Sequence, residues 1–253
     1  MDETEDLMRL CIRALAAQMH AAPGVELHMT RGAILALTDE PLADFNRLML
    51  VDHPGAEDFL AWATGRARER RRPLVAVMTP GAARALGPAA ERLGYAPVGT
   101  SPLMVLRPDA PVAPARPVRV VRALGPERVA LAGDLAAAAF GEARDVIARC
   151  IDVCVTPTAG LETWLALDED GHAVSAVTIT PTGDTAGVSL MATPPHRQRQ
   201  GWGRALLTAV IEDFRGRGVT RFHLGATDAG RPLYDSLGFD LVADLSVWML
   251  AQG

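Results

Sequence analysis

The sequence predicts an α/β protein built from mixed sheets flanked by helices, with that layout present twice in tandem. Three observations carry the prediction. Segments of strand length, apolar or alternating, recur between amphipathic stretches of helix length. A proline-rich segment from Arg107 to Pro117 divides the chain. Both parts close on the same kind of string, Leu93-Gly94-Tyr95 in the first and Leu237-Gly238-Phe239 in the second, each followed by a terminal strand.

In the first part, residues 47–51 read as a strand, 56–71 as a helix and 74–79 as a buried strand. A helix ending at Gly94 and a strand ending at Pro102-Leu103-Met104-Val105-Leu106 complete it. Four prolines then fall in eleven residues. Proline fixes φ and excludes helix and central strand, so a semi-rigid linker is expected. The expected domains are therefore 1–106 and 118–253, with 107–117 between them. In the second part, 118–122 alternates as a short strand, and 126–140 is an Ala-rich helix with proline in its first turn. Residues 142–153 form a second helix. Strands at 161–167 and 173–180 flank the turn Asp168-Glu169-Asp170-Gly171-His172, and another strand follows through 187–192. From Gly201 to Arg217, apolar residues Ala205, Leu206, Ala209, Val210 and Phe214 follow helical spacing. A strand at 220–224, a short helix at 230–237 and a terminal strand at 239–250 end the chain. The order is βααβββαβαβ. Its last five elements match the tail of the first part, which points to two copies of one fold.

Composition bounds the function. The chain has 253 residues, long for one compact domain and comfortable for two. Its residues are 49% hydrophobic and 22% charged, ordinary for a globular protein and unlike a disordered one. The net charge of −5 offers no global basic field for nucleic acid. All 25 basic residues are arginine. With the abundant alanine, this reads as the base composition of a high-GC bacterial genome. The run Arg66-Ala67-Arg68-Glu69-Arg70-Arg71-Arg72 fits a solvated helix C-terminus better than a nucleic-acid patch. Three cysteines, Cys11, Cys150 and Cys154, form no disulfide or metal pattern. Cys150 and Cys154 would share one helix face, as small buried residues or as a redox or metal pair. The acidic N-terminus is unlike a signal peptide, and no apolar run reaches membrane-spanning length. The expectation is a cytoplasmic protein with no membrane, nucleic-acid or metal partner.

The chemistry concentrates in one string, Met191-Ala192-Thr193-Pro194-Pro195-His196-Arg197-Gln198-Arg199-Gln200-Gly201-Trp202-Gly203-Arg204. A strand ends, a basic loop follows, and glycines open a helix. Unpaired amides at a helix start carry partial positive charge, and glycine lets a ligand approach the backbone. Such a place binds phosphate or pyrophosphate. Arg197, Arg199 and Arg204 add donors. A dinucleotide fingerprint fits less well, because its third glycine would fall at Leu206. A P-loop is excluded in a chain without lysine.

Gln198, Gly201 and Gly203 resemble the cofactor motif of the GNAT superfamily of acyl-CoA N-acyltransferases. Gly230-Arg231-Pro232-Leu233-Tyr234-Asp235-Ser236-Leu237-Gly238-Phe239 resembles that family's late motif. The resemblance spans the second half of the chain and implies acetyl-CoA, or another acyl-CoA, as co-substrate and an amine as acceptor. It implies that the pantetheine arm lies along Met191, Ala192 and Thr193, with the pyrophosphate on the amides of Arg199, Gln200, Gly201, Trp202, Gly203 and Arg204. It also implies that Tyr234 protonates the leaving thiolate, a task suited to a phenol that stays protonated at neutral pH. Where family members often carry an asparagine on the cofactor, this chain has Thr227. The family's usual glutamate base is absent from the strand before the loop. Glu142, Glu162, His196 and His223 are the candidates, with Glu142 preferred. In the first copy the loop reads Asp52-His53-Pro54-Gly55-Ala56-Glu57-Asp58, three acids and no paired glycines, and Ala90 takes the tyrosine's place. That half is expected to be non-catalytic, covering the active domain, shaping the acceptor cleft or forming a homodimer. A non-catalytic acyl-CoA-binding regulator is the competing reading for the whole chain. Decarboxylation or hydrolysis of an acyl-CoA is a third.

Overall fold

The computed structural model describes residues 2–20, 24–112, 116–155 and 160–251, without the side chains of 150–155, so the Cys150–Cys154 question lies outside the described residues. In chain order the elements are α1 (Glu3–Met19), β1 (Glu26–Met29), β2 (Ala33–Leu37), β3 (Arg47–Leu50), α2 (Ala56–Glu69), β4 (Val75–Met78), α3 (Pro80–Arg92) and β5 (Tyr95–Leu106). They continue with β6 (Arg119–Arg122), α4 (Pro126–Phe140), α5 (Arg144–Val155), β7 (Glu162–Leu167), β8 (Ala173–Thr182) and β9 (Thr185–Ala192). The last four are α6 (Trp202–Gly216), β10 (Arg221–Gly225), α7 (Arg231–Ser236) and β11 (Asp240–Leu250). From β6 onward the order is the one the patterning predicts. Among the described residues no helix is long and apolar enough to cross a membrane.

The chain forms two compact units, and neither is continuous in sequence. The first comprises Met1–Met104, Gly225–Asp228 and Leu241–Gly253; the second comprises Val105–Leu224 and Ala229–Asp240. The expected division at 107–117 follows chain order and so misplaces the last strand, most of which belongs to the first unit. The start of the expected linker also behaves differently. Arg215 donates to the carbonyls of Arg107 at 3.2 Å and Ala110 at 2.9 Å, and Arg107 pairs with Asp240 at 2.8 Å. Prolines remove donors but leave carbonyls as acceptors, and the second unit uses them to hold the segment.

In the first unit the strands run β1-β2-β3-β4-β11-β5. β1–β2 and β2–β3 are antiparallel, β3–β4 is parallel and β4–β11 is antiparallel. Every residue of β2 is buried. Ala33, Leu35 and Leu37 join one core with Leu60 and Ala63 of α2, Leu86 of α3 and Trp248 of β11. Side chains alternate across a strand, so Ile34 and Ala36 turn to the other face, and α1 also packs on β2. Patterning had not assigned α1, β1 or β2. A short apolar run buried on both sides carries no period to read.

In the second unit the strands run β10-β9-β8-β7-β6. β7–β8 and β8–β9 are antiparallel, as is β6–β7, while β9–β10 is parallel. The sequence of pairings along β7-β8-β9-β10 repeats that along β1-β2-β3-β4. α4 and α6 both lie against β8, whose residues Val174 to Thr180 are all buried. The helical stripe of α6, with Ala205, Leu206, Val210 and Phe214 inward, is the one read from sequence.

The arginine-rich end of α2 is neutralised within the first unit. Arg66 grips Glu26 with two nitrogens at 2.8 and 2.9 Å and also pairs with Glu69. Arg70 reaches Glu26 and Asp39, and Arg68 donates to the Leu93 carbonyl at 2.7 Å. The Arg66 guanidinium holds the Glu26 carboxyl down to about 2. A carboxyl depressed in the folded state stabilises it fully above its ordinary value of 4.5, and that stability is lost as pH falls toward 2. Glu26→Gln should therefore cost about 1–2 kcal/mol at pH 7 and far less near pH 2. Urea unfolding at the two pH values checks this; an equal loss at both would remove the ion-pair explanation.

Candidate functional site

β9 reaches the site with two irregularities. Its parallel register with β10 covers only three residues, Thr185 to Gly187 against Arg221 to His223. On its other edge the register with β8 slips. Ala192 faces Ala176 and Ser189 faces Thr178, so Leu190 and Met191 share Val177 as a partner. Leu190 takes the left-handed conformation, φ 49. A bulge of this kind bends a strand and re-aims its side chains.

The following loop satisfies itself with side chains. Ser175 donates to the Ala192 carbonyl at 3.1 Å and its oxygen lies 2.8 Å from that of Thr193. Gln198 donates to the Thr193 carbonyl at 2.9 Å. Gln200 donates to the His196 carbonyl at 3.0 Å and accepts from the Trp202 indole at 3.1 Å. The resemblance implied that Gln198 touches the cofactor; here its amide closes the loop. Arg197 lies 3.4 Å from Asp168, whose other oxygen accepts the His172 amide at 2.8 Å. That tethers the loop to the β7–β8 turn, where Asp168, Asp170 and His172 gather within 4.8 Å. Both oxygens of Asp168 are thereby engaged.

What the loop leaves open is its main chain. The six amides from Arg199 to Arg204 have no backbone acceptor among the described residues; the first helical bond runs from Ala205 to the Gly201 carbonyl. Arg199 and Gly201 both adopt left-handed conformations, φ 61 and 83, which turn successive amides toward one side. Arg199 and Arg204 have no acidic partner among the described residues, and the Arg204 Nε is buried without one. This is a donor set suited to a diphosphate.

The two glycines work differently. Gly201 supplies the left-handed cap of α6. Gly203 supplies close packing. A Cβ there would lie 2.9 Å from Met191 Cε, 3.3 Å from Thr193 Oγ1 and 3.6 Å from Leu233 Cδ2. The end of β9, the start of α6 and the helix bearing Tyr234 therefore converge on one point. Tyr234 is 8% exposed and packs edge-on against Phe239 at 5.7 Å. Burial pushes its phenol up to about 12. Its hydroxyl has no hydrogen-bond partner among the described residues.

The other expected site residues have the following surroundings. Thr227 is exposed and groups with the first unit. Glu142 does not open a helix: α5 begins at Arg144, and Glu142 is an exposed residue of the α4–α5 connection with no side-chain partner among the described residues. Glu162 is held by Arg217 at 2.7 Å and Arg122 at 3.4 Å, so its charge is already used. His196 is exposed in the loop, and His223 is buried opposite Gly187. Sequence reading missed the bulge at Leu190, which has no residue signature. It also missed Arg116, whose guanidinium carbon lies 3.9 Å from the centroid of the Trp202 ring.

A bulged strand, a helix start rich in free amides and an adjacent buried phenol thus meet at one place in the second unit. Residues 159–241 match the family model described as Acetyltransferase (GNAT) domain. Over these residues the chain is similar to a GNAT acetyltransferase domain, and it shares the fold of solved GNAT proteins over nearly its whole length. It resembles a GCN5-related N-acetyltransferase from Kribbella flavida with TM-score 0.69 and 19% identity, covering 97% of this chain and 96% of that one. A tandem GNAT protein from the clavulanic acid biosynthesis pathway gives 0.63 and 17%, covering 98% and 93%. A GCN5-related N-acetyltransferase from Sphaerobacter thermophilus gives 0.61 and 16%, covering 97% and 92%. No curated protein sequence matches the chain.

The glycine roles predict distinct stability effects. Gly203→Val should lose about 1–3 kcal/mol by overpacking, while Gly203→Ala, which meets chiefly the flexible end of Met191, stays close to the parent. Gly201→Ala should cost about 1–2 kcal/mol through its left-handed backbone. Thermal unfolding reads all three, and a parent-like Gly203→Val would show that α6 can give way without cost.

Proposed function

We propose that this protein transfers an acetyl or other acyl group from acyl-CoA to a primary amine of a small molecule or protein. The observation that carries the reading is the run of six unbonded amides at the start of α6, packed through Gly203 against the helix that bears Tyr234. The free amides with Arg199 and Arg204 fit the diphosphate of CoA. The part of β9 beyond its register with β10, from Val188 to Ala192, offers backbone groups to the pantetheine amides. The amine attacks the thioester carbonyl, forming the C–N bond and a tetrahedral intermediate. A main-chain amide near Met191 or Ala192 takes the oxyanion. As the C–S bond breaks, the phenol of Tyr234 gives its proton to the thiolate. A phenol held up to about 12 by burial keeps its proton at all working pH values, so Tyr234 is an acid here and not a base.

The amine's own proton goes to Glu142, by direct contact or through water. Glu142 is preferred over Glu162, which two guanidiniums already neutralise. The first unit serves as a non-catalytic copy. Its α2 has the same left-handed glycine cap, Gly55 at φ 86, but Glu57 and Asp58 occupy the first turn and repel a diphosphate.

Thiol release from acetyl-CoA against a panel of amines tests the reading. Tyr234→Phe should lower kcat about 10²-fold with little change in KM for acetyl-CoA, and Glu142→Gln should lower kcat/KM for the amine. CoA binding without turnover on any amine would mark a regulator instead, and thiol release without an amine would mark hydrolysis or decarboxylation.

A further inference from the structure

We propose that Arg116, carried by the proline-rich segment, is a phosphate ligand at the nucleotide end of acyl-CoA and makes the site selective for CoA over a bare acyl-pantetheine. The inference rests on the acyl-CoA reading above and adds a residue that neither cofactor motif contains. Arg116 Cδ lies 3.8 Å from the position of a Cβ on Gly201, and its guanidinium stacks on the Trp202 ring. It therefore flanks the left-handed cap where the free amides begin.

Four observations turn this contact into a binding argument. First, the described residues at the two ends of the segment touch α6: Arg107 and Ala110 are held by Arg215 near its C-terminal end, and Arg116 reaches Trp202 at its N-terminal end. The segment thus delivers a cation to the head of α6. Second, the stack is fixed from below. Trp202 is 6% exposed, and its indole is bonded to Gln200. Third, Arg116 precedes Pro117, which restricts its backbone to extended conformations and lowers the entropy cost of presenting the side chain. Fourth, Arg116 is exposed and has no acidic partner among the described residues. Stacking uses only the face of a guanidinium and leaves its N–H edges free to bind an anion.

Charge distribution supports an anionic occupant. The chain carries a net charge of −5, and several arginines elsewhere are paired with acids: Arg66 and Arg70 with Glu26, Arg144 with Asp134, Arg149 with Asp145, Arg217 with Glu162. At the start of α6, Arg116, Arg199 and Arg204 have none. Three uncompensated cations beside free amides match a ligand with more than one phosphate. Pantetheine thioesters lack all of these groups.

The test measures dissociation constants for CoA and initial rates with acetyl-CoA and S-acetyl-pantetheine, using the full chain. Arg116→Gln should weaken CoA binding about tenfold and flatten its dependence on salt. Its kcat/KM with S-acetyl-pantetheine should equal the parent's. Arg116→Lys should recover part of the loss, since a point charge replaces a planar fork. Unchanged CoA affinity in Arg116→Gln would overturn the proposal. An equal loss with S-acetyl-pantetheine would also overturn it, because a merely structural role for the stack predicts that result. A parent protein that binds no CoA would instead overturn the acyl-CoA reading itself.

Discussion

The second unit is organised around the close approach at Gly203. The start of helix α6 lies so close to Met191, Thr193 and Leu233 that Gly203 leaves little room between them. A branched side chain there would push the helix start away from the strand end and from the helix that carries Tyr234. The two roles proposed for the site, holding a polyphosphate and donating a proton, would thus be placed by one packing contact. The bulge at Leu190 complements it. By spending two residues against one, β9 turns its last residues away from a regular ladder at the point where its register with β10 has also stopped. Backbone groups freed in this way are costly unless something bonds them, which is how a strand end acquires a reason to bind a ligand.

The two units use the same backbone devices for different ends. Gly55 and Gly201 cap α2 and α6 in nearly the same left-handed conformation. The strand pairings leading to them are antiparallel, antiparallel, then parallel in both. The difference lies in charge and in one ring. Acids follow the first cap and arginines surround the second. Where Tyr234 stands in one copy, Ala90 is buried in the other. The first copy keeps a tyrosine at the next strand, Tyr95, but it bonds to Thr64 at 3.1 Å within the core. That phenol already has a partner and is spent on packing.

How far the sequence could be read follows from the range of each interaction. Helix α6, the β7–β8 turn and the Leu-Gly-aromatic stops are local, and their spacing marked them. The left-handed cap at Gly201 was also local, as a glycine before a helix. The role of Gly203 was not, because it depends on side chains from β9 and α7 distant in the chain. Gln198 looked like a ligand contact because it holds a defined place in the cofactor motif; only the fold shows its amide turned back on Thr193. Glu162 looked available as a base until Arg217 and Arg122 arrived from other elements. The place of β11 in the first unit was illegible for a similar reason: nothing in an alternating strand says which sheet will receive it.

The absence of lysine gives these local arrangements a common logic. Arginine stays charged at every working pH and presents a planar fork, so it is either paired or actively looking for an oxygen. In a chain with an excess of acids, many guanidiniums find carboxylates, as Arg66, Arg70 and Arg217 do. At the start of α6, Arg116, Arg199 and Arg204 have no acidic partner among the described residues. The same region contains a phenol whose proton burial retains and whose hydroxyl has no protein partner among the described residues. Arg116 and Arg199 are exposed and solvated; what the turn offers a ligand is a set of donors without a protein acceptor, the free amides and the Tyr234 hydroxyl among them. Their convergence on the close-packed Gly203 is the structural ground for treating this strand-to-helix turn as a binding site and not merely as a connection.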